Sequence, residues 1–176
     1  MGAFSLVSIL SFATDRWFAS LLPPGSVAVL AYAWRFEPIF LVVMAGAAAT
    51  PVYTDLSEAA ARGDTAVFQA ALLRGLKLVA LVVGPAAALL AGLSRPLIAL
   101  LLQRGAFAAA DARLVADVLA VLAVAFACWS IGALMVQALN ARQQPRLSLV
   151  VGVVSTLLNF GFDALLYRPF GVLGLA

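Results

Sequence analysis

From Val118 to Ala141 the chain carries no charged residue. A helix needs about 20 apolar residues to cross the hydrocarbon of a bilayer, so this run is long enough to span. In lipid every backbone N–H and C=O must be satisfied within the protein, which leaves helices or a closed barrel. The apolar stretches here are continuous, not alternating, and rich in Ala, Leu and Gly. They predict an all-α, polytopic helix bundle.

Composition agrees. Hydrophobic residues make up 65% of the 176-residue chain, and charged residues only 11%. Soluble domains carry about a quarter charged residues, which cover the water-facing surface. The net charge of +3 is spread singly between apolar runs, which excludes a nucleic-acid patch. There is no histidine, and the single cysteine, Cys128, lies inside an apolar run. No disulfide framework, metal constellation or cofactor motif is expected.

A single transmembrane domain over 1–176 is expected, with spans at about 3–22, 27–54, 76–93, 113–141 and 147–167. Pro23-Pro24-Gly25-Ser26 is a turn between the first two. Residues 55–64 are expected to form a charged, water-facing loop. Residues 65–77 have the spacing of a helix lying at the interface. Gly84-Pro85 predicts a kink in the third span. Ser94-Arg95-Pro96 predicts a new short interfacial helix, too short to cross. Asp111 can cap the fourth span, and Arg142–Arg146 is a tight basic loop. A further apolar stretch begins at Val172, and its interruption at Ala176 reads as a fragment. Basic residues divide evenly between the two faces. The compact loops at 55–77 and 141–146 favour their side as cytoplasmic.

Arg35 stands about two turns inside the second span. A charge there costs at least a few kcal/mol unless it meets a cavity or a partner. Its planar fork matches phosphate oxygens, so one reading is an anion-binding guanidinium. The alternative is snorkelling to the near interface, or a structural ion pair with another helix. Glu37, two residues on, points to a different face. Tyr32, Arg35, Ile39, Val42, Gly46 and Thr50 share one helix face, and Gly46 and Thr50 have close-packing spacing. In the fifth span Ser148, Gly152, Ser155, Asn159 and Asp163 form a polar stripe that should face the bundle interior. Asn159 reads as interhelical hydrogen-bond glue, or with Asp163 as the lining of a polar pathway. Tyr32, Arg35, Glu37, Asn159 and Asp163 are the candidate substrate-binding residues. Asp15, Glu37 and Asp163 lie on separate spans and no motif pairs them. With no Walker loop or GxSxG elbow either, an enzyme is not expected.

Four stretches follow one another at a familiar spacing: DRWFASLLPPGSVAVLAYAWRFE, PVYTDLSEAAARGD, RGAFAAADA and LNARQQPRLSLVVGVVSTLLNF. Together they resemble the MurJ/MviN family of lipid II flippases, within the multidrug/oligosaccharidyl-lipid/polysaccharide exporter superfamily. The resemblance implies two six-helix lobes around a central cavity, of which this chain is similar to the beginning of the second. It implies alternating-access export of a polyprenyl-pyrophosphate-linked peptidoglycan precursor across the bacterial inner membrane, for cell wall synthesis. It also implies a cytoplasmic Asp55–Asp64 loop, and a cavity role for Arg35 against the pyrophosphate. Trp34 stands where an acidic residue is common in the family, and Gln144-Pro145 where Thr-Pro is frequent. The expected partners are the lipid-linked precursor, membrane lipid, and a first lobe or a second copy of the chain. The alternatives are a flippase for another lipid-linked glycan, or a non-transporting fragment or scaffold.

Overall fold

A computed structural model describes residues 13–39, 50–102 and 109–175. Among these residues the ordered structure is helical and no strand occurs. Residues 13–20 form α1, followed by α2 (Ser26–Trp34), α3 (Thr50–Ala61), α4 (Thr65–Leu102), α5 (Ala109–Ala141) and α6 (Pro145–Phe170). A 3-10 turn, Gly171–Leu175, closes the described chain. The ranges Thr65–Leu101, Ala110–Ala141 and Pro145–Leu175 are long and apolar enough to cross a membrane. The first expected span lies partly, and Val42 and Gly46 wholly, outside the described residues.

The chain divides into two compact units. The first comprises residues up to Phe36, Leu90–Leu122, and Leu149 onward. Its α1 buries Asp15, Phe18 and Ala19, the i, i+3, i+4 spacing of one helix face. Pro23 and Pro24 cannot continue that helix, and it closes with Leu21 N–H donating to the Phe18 carbonyl at 3.0 Å. Gly25 then takes φ +99°, a left-handed conformation that a Cβ would oppose. The Ser26 hydroxyl donates to the Pro23 carbonyl at 2.8 Å, tying the turn to the start of α2.

α2 buries Ser26, Val29, Leu30 and Ala33. It is interrupted by a turn at 35–36 and resumes as helix over 37–39, and residues 40–49 of the second expected span lie outside the described residues. Arg35 N–H donates to the Tyr32 carbonyl and Phe36 N–H to that of Ala33, so the helix tightens and turns at 35–36. The cause is Pro38, whose ring would clash with the Trp34 carbonyl and which has no N–H to offer it. The Gly171–Leu175 turn packs against α2 with Val172 and Leu175 buried. A Cβ on Gly174 would collide with the Leu166 carbonyl oxygen, so this position requires glycine. Elsewhere in the unit Ile98, Val115, Val118, Leu119 and Leu122 are closed off. Arg95 donates through Nε and Nη2 to one Asp117 oxygen at 3.1 and 3.0 Å, joining α4 to α5.

The second unit comprises Glu37–Leu89 and Ala123–Ser148. Val52, Leu56, Phe68, Val79, Val83 and Leu134 form its interior. Gly75 lets three helices meet, since a Cβ there would stand 2.6 Å from Val52 Cγ1 and 3.2 Å from Leu134 Cδ2. The buried Ser130 hydroxyl donates to the Phe126 carbonyl at 2.7 Å, a local solution for a polar group in an apolar helix.

α3 and α4 differ from the sequence reading, and residues 55–61, expected as loop, are the helical end of α3. Residues 65–77, the third span and the expected short helix after Pro96 are one helix, Thr65–Leu102. Each of Pro85 and Pro96 removes one backbone bond, whereas ending a helix leaves up to four carbonyls unsatisfied. In an apolar setting continuity is the smaller cost. The long helices keep large side chains outward, with Leu81, Leu89, Leu100, Leu157 and Leu165 all more than 60% exposed. Such a surface suits lipid or further apolar helices, not water.

Candidate functional site

The chemistry-bearing residues of the first unit form two groups. One is built on α2. Its early stop puts Arg35 at the C-cap, exposed, with Cζ 5.0 Å from the centre of the Tyr32 ring. That distance places the guanidinium within cation–π range of the ring. A guanidinium at a helix terminus has more freedom to reach a ligand than one held in mid-helix.

The other group lies between α1 and α6. Phe18 is wedged against α6, with ring centroids 5.5 Å from Phe160 and 5.3 Å from Tyr167. Such pairs contribute about 0.5–1.5 kcal/mol beyond area, and they matter more in lipid, where apolar burial gives no transfer gain. Asp15, one turn before Phe18, is thereby directed at α6. It reaches the side chains of Asp163 and Asn159, which sit one helical turn apart. Asp15 is 7% exposed and Asp163 3%. Asp15 Oδ1, Asn159 Oδ1 and Asp163 Oδ2 are buried without a hydrogen-bond partner among the described residues. No Lys or Arg pairs with either acid among those residues, and the adjacent Arg16 is exposed.

Two facing carboxylates shielded from water carry charge that something must offset. With one amide oxygen they form an all-oxygen donor set. It suits a shared proton or a small hard cation, and offers nothing to a soft metal.

The structure brings together residues that the sequence left apart. Asp15 and Asp163, on separate spans with no pairing motif, converge. Asn159 joins them, its side chain hydrogen-bonded to Asp15 across the two helices while its Oδ1 meets no donor among the described residues. Tyr32 meets Arg35. Glu37 belongs to the second unit and is half-buried there. Of the polar stripe on α6, Ser148, Gly152 and Asp163 are buried and Asn159 half-buried, whereas Ser155 is exposed. Asp15 was not among the residues singled out from the sequence as substrate-binding candidates. Its signal was an acid inside an apolar run, which Arg16 beside it disguised as an interfacial pair.

The family model described as "Lipid II flippase MurJ" matches residues 1–176. A probable lipid II flippase MurJ of Synechocystis sp. is 28% identical over 166 residues, covering 94% of this chain and 31% of that protein. Its counterpart in Bdellovibrio bacteriovorus is 29% identical over 174 residues, covering 96% and 33%. A solved structure of the lipid II flippase MurJ in an inward closed conformation superposes with a TM-score of 0.84 at 22% identity. It covers 98% of this chain and 36% of its own, which shows a shared fold. The chain thus spans about a third of the length of these relatives. On the match over all its residues, the chain belongs to the lipid II flippase MurJ family.

Proposed function

We propose that the chain serves in a transporter that flips a polyprenyl-pyrophosphate-linked peptidoglycan precursor, lipid II, across the bacterial inner membrane. The carrying observation is Arg35, an exposed guanidinium at the broken end of an apolar helix, backed by the Tyr32 ring. A pyrophosphate is the part of a lipid-linked glycan that a guanidinium recognises best, because two N–H groups can meet two oxygens in one plane. Tyr32 keeps that plane oriented. The flexible prenyl chain needs only an apolar surface.

Directional transport needs a second event whose free energy differs between the two facing states. Asp15, Asn159 and Asp163 supply the groups for it. A proton or hard cation taken up between the carboxylates would draw α1 and α6 together, and its release would let them part. This role rests on the unpartnered oxygens of the cluster. Because the chain spans about a third of its relatives, a first lobe or a second copy completes the cavity in this reading.

The test is complementation in cells depleted of their lipid II flippase. The chain is expressed alone and joined behind the first lobe of a curated relative, each with Arg35 and with Arg35→Ala. Rescue that depends on Arg35 in either setting supports the assignment. Full rescue by Arg35→Ala removes the arginine from the site. Membrane insertion without rescue in both settings removes the flippase reading.

A further inference from the structure

The second unit holds two helix corners built alike. α3 ends in Ala61-Arg62-Gly63-Asp64 before α4, and α5 ends in Ala141-Arg142-Gln143-Gln144 before α6. In the first, Gly63 and Asp64 N–H donate to the Ala60 and Ala59 carbonyls, both at 3.1 Å. In the second, Gln143 and Gln144 N–H donate to those of Asn140 and Leu139 at 2.9 and 3.1 Å. The third residue of each corner is left-handed, with φ +68° at Gly63 and +55° at Gln143.

The corners differ in their arginines. Arg62 pairs with Glu58, one turn back, at 3.2 Å. Arg142 has Ala138 one turn back, and no carboxylate pairs with it among the described residues. Its Cζ lies 4.1 Å from the centre of the Phe68 ring, which is 4% exposed. Stacking covers one face of the guanidinium and leaves its edge donors free.

Both corners line one open cleft of about 670 Å³. Phe68 forms part of it, and Arg142 brings the cation. Tyr53, Ser57, Thr65 and Gln143 bring neutral donors. Asp64 is the carboxylate in the lining, and its Oδ1 already accepts the Val67 N–H at 3.0 Å, capping α4. The left-handed Gln143 places an amide side chain at the rim where glycine would relieve the backbone.

The cleft also has a place relative to a bilayer. Thr65 and Ala141 in its lining terminate two of the membrane-length helices, and Pro145 beside it begins the third. The uncharged run Val118–Ala141 ends in the lining, and the ends of such apolar runs lie at the level of lipid headgroups. Val67 and Leu147, within a turn of lining residues, are exposed and apolar.

We propose that this cleft binds the phosphate of an anionic membrane phospholipid, held by Arg142 over Phe68 with the acyl chains against the apolar helix faces. A bound lipid would tie the two corners, and so the helices they join, to the membrane surface.

The test uses the full chain in bilayer discs of phosphatidylcholine, with and without phosphatidylglycerol. The phosphatidylglycerol-to-phosphatidylcholine ratio of retained lipid is read by native mass spectrometry. The expected preference is about fivefold, the factor for one basic residue at an anionic surface. Arg142→Gln should abolish it, and Arg62→Gln, which removes a guanidinium already paired, should leave it unchanged. Each ratio is internal to one variant, so lost stability does not imitate lost recognition. An undiminished preference in Arg142→Gln overturns the proposal. Equal loss in Arg62→Gln overturns it too, since the effect would then be general surface charge. Soluble glycerol phosphate binding as well as the lipid, with the same Arg142 dependence, overturns the lipid assignment in favour of a free phosphate.

Discussion

Asp15 and Asp163 face one another from α1 and α6, both buried and each with an oxygen that meets no donor among the described residues. Two acids in this arrangement are not chosen for stability, because an uncompensated buried charge costs several kcal/mol. Asp163→Asn keeps the shape and one oxygen while removing a like charge. It should leave the thermal melting of the purified protein unchanged or raised, and lower the proposed lipid II flipping by the complete transporter about tenfold. Unchanged flipping would take the pair out of the transport cycle. A large fall in melting temperature would mark it as structural.

Arg35→Lys tests the fork and not the charge. The guanidinium over Tyr32 is planar and can offer two parallel donors, whereas an ammonium is a point charge. Flipping by the complete transporter should fall about five- to tenfold, with expression and melting unchanged, because Arg35 is exposed and supports no packing. Full activity in Arg35→Lys would leave a role for charge alone.

Gly75 is where three helices approach most closely. Gly75→Ala would put a methyl 2.6 Å from Val52 Cγ1, and should destabilise by about 1–3 kcal/mol, as overpacking does. Val52→Ala on the same chain should recover much of that loss, since it removes the atom in the way. A double-mutant cycle on thermal melting measures the coupling directly. Additive losses would show that the contact is not what limits the site.

Gln143→Gly relieves a left-handed non-glycine residue at the α5–α6 corner. A gain of about 1 kcal/mol in stability is expected, the usual cost of holding a Cβ in this conformation. The matching change at the α3–α4 corner, Gly63→Gln, should lose a similar amount. The pair of variants separates the corner's backbone chemistry from anything the Gln143 side chain contributes to the cleft.

Apolar run lengths were enough to establish the helical, membrane-embedded character of the chain, because a backbone in lipid has so few ways to satisfy its hydrogen bonds. Arg35 drew attention for the same reason, since a charge in an apolar run stands out against its surroundings. The turn at Pro23–Ser26 was legible from residues whose φ is restricted or unusually free. What the sequence read wrongly were matters of competition between local and longer-range effects. Pro96 looked like a helix start, yet continuity of α4 leaves fewer carbonyls unsatisfied. The second span looked continuous, yet Pro38 acts three residues back and turns the chain at Arg35. The convergence of Asp15, Asn159 and Asp163 could be decided only in three dimensions. It depends on how Phe18 seats between Phe160 and Tyr167, and side chains far apart in the chain leave no periodic trace of that packing. The stacking of Arg142 on Phe68 is of the same kind. Each residue reads locally as an ordinary loop cation or core aromatic, and only the approach of two helix ends makes them one surface.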